Sequence, residues 1–359
     1  MSSALLSEAP YRRVLVTGAG GFVGSQLVAA LARDRRRLET IVASDVREPG
    51  EPLAGVVYAP ADVREPEAVL ALCRRHGIDL VVHLAAIVTP GRGSSRELEY
   101  QVDVVGTRNV LGACLSAGVR KLVYTSSGAA YGYHADNPAC LDEEAPLRGN
   151  PEFAYSHHKR LVEELLARAR AEHPELLQLV FRPGVILGLR ARNQITDLFD
   201  GRFVLGLAGA QSPFVIVWDE DVVGAILRGI HQGGVGVYNL AGDGTLTLRE
   251  MAKLLGKPYL PLPPGLVAAA LWILHGLRLS QYGPEQVRFL RHRPVLSNRR
   301  LVQEFGYQPR LGTRQAFERF AAARRTQPAG GAGRAAAPPA GGVWSARRRD
   351  TPGGGANRR

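Results

Sequence analysis

The chain has 359 residues, 45% of them hydrophobic, and a formal net charge of +12. That is enough for one large α/β domain and a smaller lobe. Its cysteines, Cys73, Cys114 and Cys140, are odd in number, widely spaced and free of any CxxC pair, which argues against a disulfide framework or a zinc site and for reduced thiols in a cytoplasmic protein. The charge does not mark a nucleic-acid surface. A net +5 falls in residues 326–359, and the densest cluster elsewhere, Arg33 with Arg35, Arg36 and Arg37, is interrupted by Asp34 and reads as a solvated helix end.

No apolar signal-peptide core precedes the first strand, which begins by Arg13. Val14, Leu15 and Val16 form a short buried run, and Gly18, Gly21 and Gly24 then punctuate a turn. From Phe22 the apolar residues take helical spacing through Val23, Leu27, Val28 and Leu31. Strand, glycine turn and helix in that order form a dinucleotide fingerprint. Gly18 permits the turn, Gly21 lets the backbone approach a pyrophosphate, and Gly24 lets the helix pack on the sheet. Phe22 and Val23 open the helix whose free N–H groups face that pyrophosphate.

A second strand over 39–45 ends in Asp45, 21 positions beyond Gly24. A carboxylate there accepts both adenosine ribose hydroxyls and favours NAD over NADP, although Arg47 nearby is able to receive a 2′-phosphate. A third strand over 55–58 leads to Asp62 and Val63, placed to touch the adenine. A helix over 65–76, a strand over 79–84, a long helix over 95–117 and a strand over 121–127 follow. The alternation predicts a Rossmann-type doubly wound parallel sheet with right-handed crossovers.

After a polar loop over 135–151, a helix from Glu152 to about Ala171 carries Tyr155 and Lys159, four positions apart on one face. A tyrosine that exchanges a proton at neutral pH needs its pKa lowered from about 10, and a lysine ammonium one turn away acts in that sense. Ser127, at a strand end 28 residues earlier, is placed to hydrogen-bond the reacting oxygen. His157 and His158 diverge by about 100° on the helix and do not chelate one ion together. Glu163, one turn past Lys159, reads as that lysine's helix-face partner. A strand over 177–182 stops at Pro183 and Gly184. After Gly188 the segments shorten into a small lobe suited to covering the nicotinamide and selecting a substrate.

The apolar run Leu266–Leu277 falls short of the roughly 20 residues of a membrane span and reads as a buried or substrate-facing helix, with shallow membrane contact as the alternative. The composition from Thr326 onward predicts a disordered basic tail in which Trp344 is the only large aromatic residue. The expected organisation is an N-terminal extension (1–12), an NAD-binding domain (13–188), a mainly substrate-binding lobe with segments returning to the large domain (189–325), and the tail (326–359).

These residues together resemble the extended short-chain dehydrogenase/reductases, specifically the NAD-dependent epimerase/dehydratase family. The resemblance runs from about Arg13 to Phe320. It rests on the 17–24 turn, Asp45, Asp62-Val63, His83-Leu-Ala85-Ala86, Gly106-Thr107-Arg-Asn109, and the run from Thr125 to Gly132. It continues through Tyr155-xxx-Lys159, Arg182-Pro183-Gly184, Asp221-Val222, Tyr238-Asn239 and Phe305-Gly306-Tyr307. It implies NAD as cofactor, with Ala85, Ala86 and Arg182 joining the cofactor site. It also implies Tyr155 as general acid/base, Lys159 on the ribose hydroxyls, Ser127 and Gly128 beside the substrate, and a homodimer through the helices over 95–117 and 152–171.

Two positions depart from the pattern. Asp103 stands where the family often has Asn, an acid able to perturb the local proton network. Gly184 stands where nucleotide-sugar enzymes usually carry Asn. The latter points toward the hydroxysteroid-dehydrogenase side of the family and an apolar substrate, while Arg190, Arg192 and Asn193 are positioned to meet a diphosphate. Three classes stay open: a net dehydrogenase or ketone reductase, a nucleotide-sugar epimerase or dehydratase, and a non-catalytic nucleotide-binding scaffold.

Overall fold

Short runs of β-branched and aliphatic residues alternate with helices through the first half of the chain, and the strands stack in parallel. The computed structural model describes residues 11–326 except 92, 212 and 278–282. The first ten residues and residues 327–359, Trp344 included, lie outside the described part, and with them the predicted tail. Strand β1 (Arg13–Thr17) leads to α1 (Phe22–Arg33), β2 (Thr40–Ser44), the two-residue β3 (Val57–Tyr58), α2 (Pro66–Arg75) and β4 (Leu80–His83). The predicted helix over 95–117 is three pieces: α3 (Arg96–Tyr100), a π-type turn (Gln101–Val105) and α4 (Gly106–Ser116). Next come β5 (Lys121–Thr125), a 3-10 turn (Gly128–Tyr131), α5 (Ala154–Glu172) and β6 (Leu177–Pro183). Strand β5 stops two residues before Ser127, so that serine sits in the turn beyond the sheet rather than in the strand.

The later segments are β7 (Val185–Leu187), α6 (Gln194–Asp197), β8 (Val204–Leu207), β9 (Pro213–Phe214), β10 (Ile216–Trp218), α7 (Asp219–His231) and β11 (Gly236–Leu240). They continue with β12 (Leu246–Thr247), α8 (Leu248–Leu255), β13 (Tyr259–Leu262), α9 (Pro264–Gly276), α10 (Gln286–Arg291), α11 (Arg299–Gln303) and α12 (Thr313–Thr326).

The large sheet is seven-stranded, in the order β11-β6-β5-β4-β1-β2-β3, with every pairing parallel. The chain enters at β1, winds outward through β2 and β3, then resumes at β4 on the other side of β1. That reversal leaves a crevice at the carboxyl ends of β1 and β4. One face of the sheet buries Leu27, Leu31, Val222 and Ile226 from α1 and α7, and the other buries Val69, Val110, Val162 and Leu166 from α2, α4 and α5. Both faces are covered, which is why the strands read as apolar runs without alternation.

β11 pairs with β6, so a segment late in the chain returns to the large sheet. The remaining strands form two-stranded ladders, β7 with β10, β9 with β12 and β8 with β13. They close on a separate core of Phe199, Phe214, Trp218, Met251, Phe317 and Phe320. Helix α9 departs from the expectation of burial or a place against the substrate. Trp272 is 70% exposed and Leu266 60%, and among the described residues none of α9 lines the main cleft.

A buried ion pair ties helix α5, which carries Tyr155 and Lys159, to the sheet. Arg182 on β6 donates Nε and Nη2 to the two carboxylate oxygens of Glu163 on α5, both at 2.8 Å. Its Nη1 donates to the Tyr131 hydroxyl at 2.8 Å and the Glu143 carbonyl at 3.1 Å. Tyr131 donates in turn to Asn239 Oδ1 on β11, and the Asn239 N–H donates to the Glu143 carboxylate. Glu163 is therefore the partner of Arg182, not of Lys159.

Removing one member leaves an uncompensated charge in the interior. Arg182→Met is expected to lower unfolding free energy by about 3–5 kcal/mol, whereas Arg182→Met/Glu163→Leu should recover most of it. Denaturant unfolding of the two variants measures the difference, and an additive double variant is incompatible with the pairing.

Candidate active site

The glycine turn is built by close approach. Gly18 has φ +69°, and a Cβ on it would stand 2.5 Å from the Ala85 nitrogen after β4. Gly24 faces the same constraint from within, since its Cβ would lie 2.1 Å from the Gly18 carbonyl oxygen. Helix α1 starts at Phe22 with Gly21 as an extended N-cap that makes no side-chain cap. The first turn contains no acid. Backbone donors and the positive end of the helix dipole are thus left for an anion.

Asp45 follows β2, accepts the Gly20 N–H at 2.9 Å and pairs with Arg47 at 3.3 Å. It stands beside the turn but outside the lining of the main cleft. Asp62 binds the Arg64 guanidinium. Burial works to raise its pKa, yet the hydrogen bonds and charge of Arg64 hold it below the usual carboxylate range. Val63 packs against Gly106, where a Cβ would come within 2.7 Å. Asn109 Nδ2 donates to the Val63 and Arg64 carbonyls at 3.0 and 2.9 Å, so this asparagine pins the 62–64 loop.

A cleft of about 290 Å³ opens from the glycine turn along the ends of β4 and β5 to the small lobe. Gly18, Gly21, Phe22, Val23, Gly24 and Ala86 line its first part, and Ser127, Gly128, Tyr155 and Lys159 its middle. Ala85 is backed against Gly18 instead. Gly184, Ile186, Asn193, Ile195, Val215, Phe289 and Leu296 wall the far part. The structure therefore brings Ser127, Tyr155 and Lys159 to one cleft with the glycine turn. It does not bring Arg182 there, because that guanidinium is engaged by Glu163, Tyr131 and Glu143. Arg190 is exposed outside the cleft lining, whereas Arg192 is part of it. Asn193 lines it too, but its Oδ1 caps α6 through the Ile195 and Thr196 N–H groups.

Lys159 Nζ is buried and donates to the Tyr124 hydroxyl at 2.9 Å and the Thr125 carbonyl at 3.1 Å. Its distance to the centre of the Tyr155 ring is 5.8 Å. Burial lowers the lysine pKa, while Asp103 and Glu163 act to raise it. Tyr155 does not show the lowered pKa that the sequence pattern suggests. Burial drives its phenol upward, and a hydrogen bond with Ser127 opposes this. His83, buried between Thr17 Oγ1 at 2.7 Å and Thr107 Oγ1 at 3.0 Å, is pushed down to about 3 by burial and by Lys159, so it is a neutral strut.

Asp103 sits in the π-type turn. One oxygen accepts the Ile87 N–H at 2.9 Å, and the other faces His158 Nδ1 at 3.5 Å with both side chains buried. The acid thus meets a histidine of the Tyr-Lys segment rather than Tyr155 itself. His157 and His158 are splayed, their ring centres 6.2 Å apart.

Gly184 has a steric reason. A Cβ there would stand 2.7 Å from the Val215 carbonyl oxygen, because β7 leaves β6 directly beneath that strand connection. Gly128 is likewise pressed on, its absent Cβ lying 2.8 Å from a methyl of Leu296.

The sequence reading missed Arg293. This guanidinium lines the cleft among the rings of Phe214 (4.2 Å), Phe289 (4.4 Å) and Tyr133 (5.8 Å). Its Nη1 is buried without a hydrogen-bond partner among the described residues, and burial lowers its pKa with Tyr133 opposing. An arginine followed by proline in a basic segment carries no local signal; its packing against the neighbouring Phe289 and against Tyr133 and Phe214 from distant segments creates the site.

Residues 14–218 match the model of the NAD dependent epimerase/dehydratase family. The N-acetyl-alpha-D-glucosaminyl-diphospho-ditrans,octacis-undecaprenol 4-epimerase of Escherichia coli O157:H7 is 30% identical over 296 residues, covering 77% of this chain and 83% of the relative. A 3beta-hydroxysteroid-dehydrogenase/decarboxylase (isoform 1) of Arabidopsis thaliana is 25% identical over 351 residues, 86% of this chain and 78% of that one. Among solved structures, UDP-glucose 4-epimerase of Thermus thermophilus in complex with NAD superposes with a TM-score of 0.67 at 25% identity, covering 88% of this chain and 99% of that one.

The crowding at Gly184 has a direct consequence. Gly184→Asn should overpack the junction and cost about 1–3 kcal/mol of stability rather than supply a substrate contact. A thermal melt of that variant indistinguishable from the parent is the contrary outcome.

Proposed function

The chain belongs to the NAD dependent epimerase/dehydratase family, and from that premise we propose that it moves a hydride at a carbinol or ketone carbon of a substrate with an apolar body. The observation that carries this reading is one cleft holding Ser127, Tyr155 and Lys159 between a phosphate-ready glycine turn and a largely apolar far wall. The residues fit NAD. Gly18 to Gly24 and the α1 N-terminus would hold the pyrophosphate, Asp45 the adenosine ribose, and Asp62 with Val63 the adenine edge. When bound, NAD supplies the hydride acceptor or donor.

The chain's own groups handle the proton. Tyr155 takes the hydroxyl proton as the carbinol carbon gives up its hydride, and returns it in the reverse direction. Ser127 hydrogen-bonds the same oxygen. Tyr155 alone holds its proton, since burial raises its pKa. Loss of that proton calls for positive charge, from the Lys159 ammonium and from the oxidised cofactor. Lys159 is held for this by Tyr124 and Thr125, leaving a donor for ribose hydroxyls. A homodimer through α3, α4 and α5 belongs to the same reading.

A second reading, an epimerase or dehydratase acting on a diphosphate-linked sugar, is favoured by Arg293. A guanidinium with no acidic partner among the described residues, in a mostly apolar cleft, suits a substrate with an anionic part. The E. coli relative's name describes a diphosphate joining a sugar to a polyprenol, which combines an anion with an apolar body. Accumulation of NADH in step with substrate consumption supports net oxidation; turnover with no net NADH supports the second reading.

Tyr155→Phe is expected to reduce turnover roughly 10²- to 10⁴-fold with NAD affinity nearly unchanged. Retained turnover rules out Tyr155 as the proton carrier. Arg293→Met should raise KM for an anionic substrate about tenfold or more at nearly constant kcat, and leave a neutral apolar alcohol unaffected. Equal effects on both substrates count against an anion-binding arginine.

A further inference from the structure

Helix α9 breaks the rule for surface helices. Residues Pro264 to Gly276 contain no Asp, Glu, Lys or Arg. Val267, Ala268 and Leu271 are half-buried against the protein, while Leu266, Ala270, Ile273 and the following Leu277 form a stripe on the outer face at helical spacing. Leu277 is 63% exposed, and Trp272 and Leu274 flank the stripe, exposed as well. A helix on a water-facing surface normally turns polar residues outward. The apolar surface extends beyond α9. Leu260 on β13 and its cross-strand partner Leu205 on β8 are both exposed just before the helix begins. Exposed large apolar residues gathered in this way mark an interaction surface.

We propose that α9, with Leu205 and Leu260, docks the protein on the surface of an anionic lipid bilayer. Length sets the mode. Thirteen residues span about 20 Å, too short to cross the hydrocarbon core, and no described helix is long and apolar enough to cross. The helix lies in the interface instead, with Trp272 placed where an amphipathic ring prefers the headgroup level. Charge decides between a bilayer and a second copy of the chain. Exposed bases flank this surface: Arg291 on α10, which packs against α9, and Arg249, whose guanidinium lies over the ring of Tyr259 beside Leu260. The surrounding charge attracts anionic headgroups and opposes the same face of another copy. Helix α9 packs against α10, whose Phe289 lines the cleft. Docking would therefore set one cleft wall beside the bilayer. That an apolar substrate enters from the bilayer rests on the reading above; the docking itself does not.

The test uses the full chain with Trp344→Phe, so that the basic tail contributes no fluorescence and the remaining tryptophans are Trp272 and the buried Trp218. Vesicles of phosphatidylglycerol and phosphatidylcholine should sediment with the protein, and brominated lipid should quench Trp272. Ile273→Glu/Leu277→Glu should lower the partition coefficient roughly tenfold or more while leaving NAD affinity unchanged, which reports an intact fold. Vesicle binding insensitive to that double variant, with no Trp272 quenching, overturns the proposal in favour of the tail. Failure to bind vesicles, with a dimer that the double variant dissociates in sedimentation velocity, overturns it in favour of a second copy. Loss of turnover in Tyr155→Phe is read separately in solution on a water-soluble alcohol, so failure of either idea is distinguishable from failure of the other.

Discussion

The bidentate pair of Arg182 and Glu163 governs where Tyr155 and Lys159 stand. Tyr155 and Lys159 belong to a helix that touches the sheet on one side only, and their position relative to the glycine turn depends on how that helix is seated. A guanidinium on β6 that meets both oxygens of a carboxylate on α5 sets rotation and height together, because two parallel hydrogen bonds leave little freedom. Tyr131, Glu143 and Asn239 complete the shell. The seventh strand, β11, is thereby tied through Asn239 to the loop that follows Ser127. The desolvation cost of such a pair is large, and it is offset only while every partner is present.

Around this clamp the cleft is electrostatically one-sided. Lys159, Arg192 and Arg293 line it, and among the described residues no acid shares that lining. Asp103 and Glu163 act on Lys159 from behind, through the protein interior. Asp103, which faces the Tyr-Lys segment from the π-type turn, is held by the Ile87 N–H at one oxygen, with His158 Nδ1 3.5 Å from the other. The acidic groups thus sustain the positive charge of the site without entering it. A cofactor that carries two phosphates, such as NAD, suits such an environment.

Much of this was legible in the residues themselves. Val14–Val16, the three glycines and the helical spacing after Phe22 define a strand–turn–helix by local sterics, and the structure reproduces it within a residue or two. Elsewhere local signals mislead for physical reasons. The apolar period over 95–117 is continuous, yet a π-type turn interrupts it at Gln101–Val105, where Asp103 reaches back to the Ile87 backbone. Glu163 stands one turn from Lys159, but a guanidinium from another strand outcompetes a neighbour on the same helix. Leu266–Leu277 has the composition of a core helix, and composition does not report which elements arrive to cover it.

The sequence by itself determined the strand–helix alternation of the first half of the chain, the glycine turn and the face shared by Tyr155 and Lys159. Each of these depends on neighbours within a few residues, where backbone sterics and side-chain period act directly. Tertiary structure alone decided three things: that Arg182 is a structural clamp, that Arg293 stands among three rings with no acid beside it in the described residues, and that α9 keeps its apolar face outward. Each joins groups far apart in the chain, and burial, pairing and exposure exist only once those groups have met.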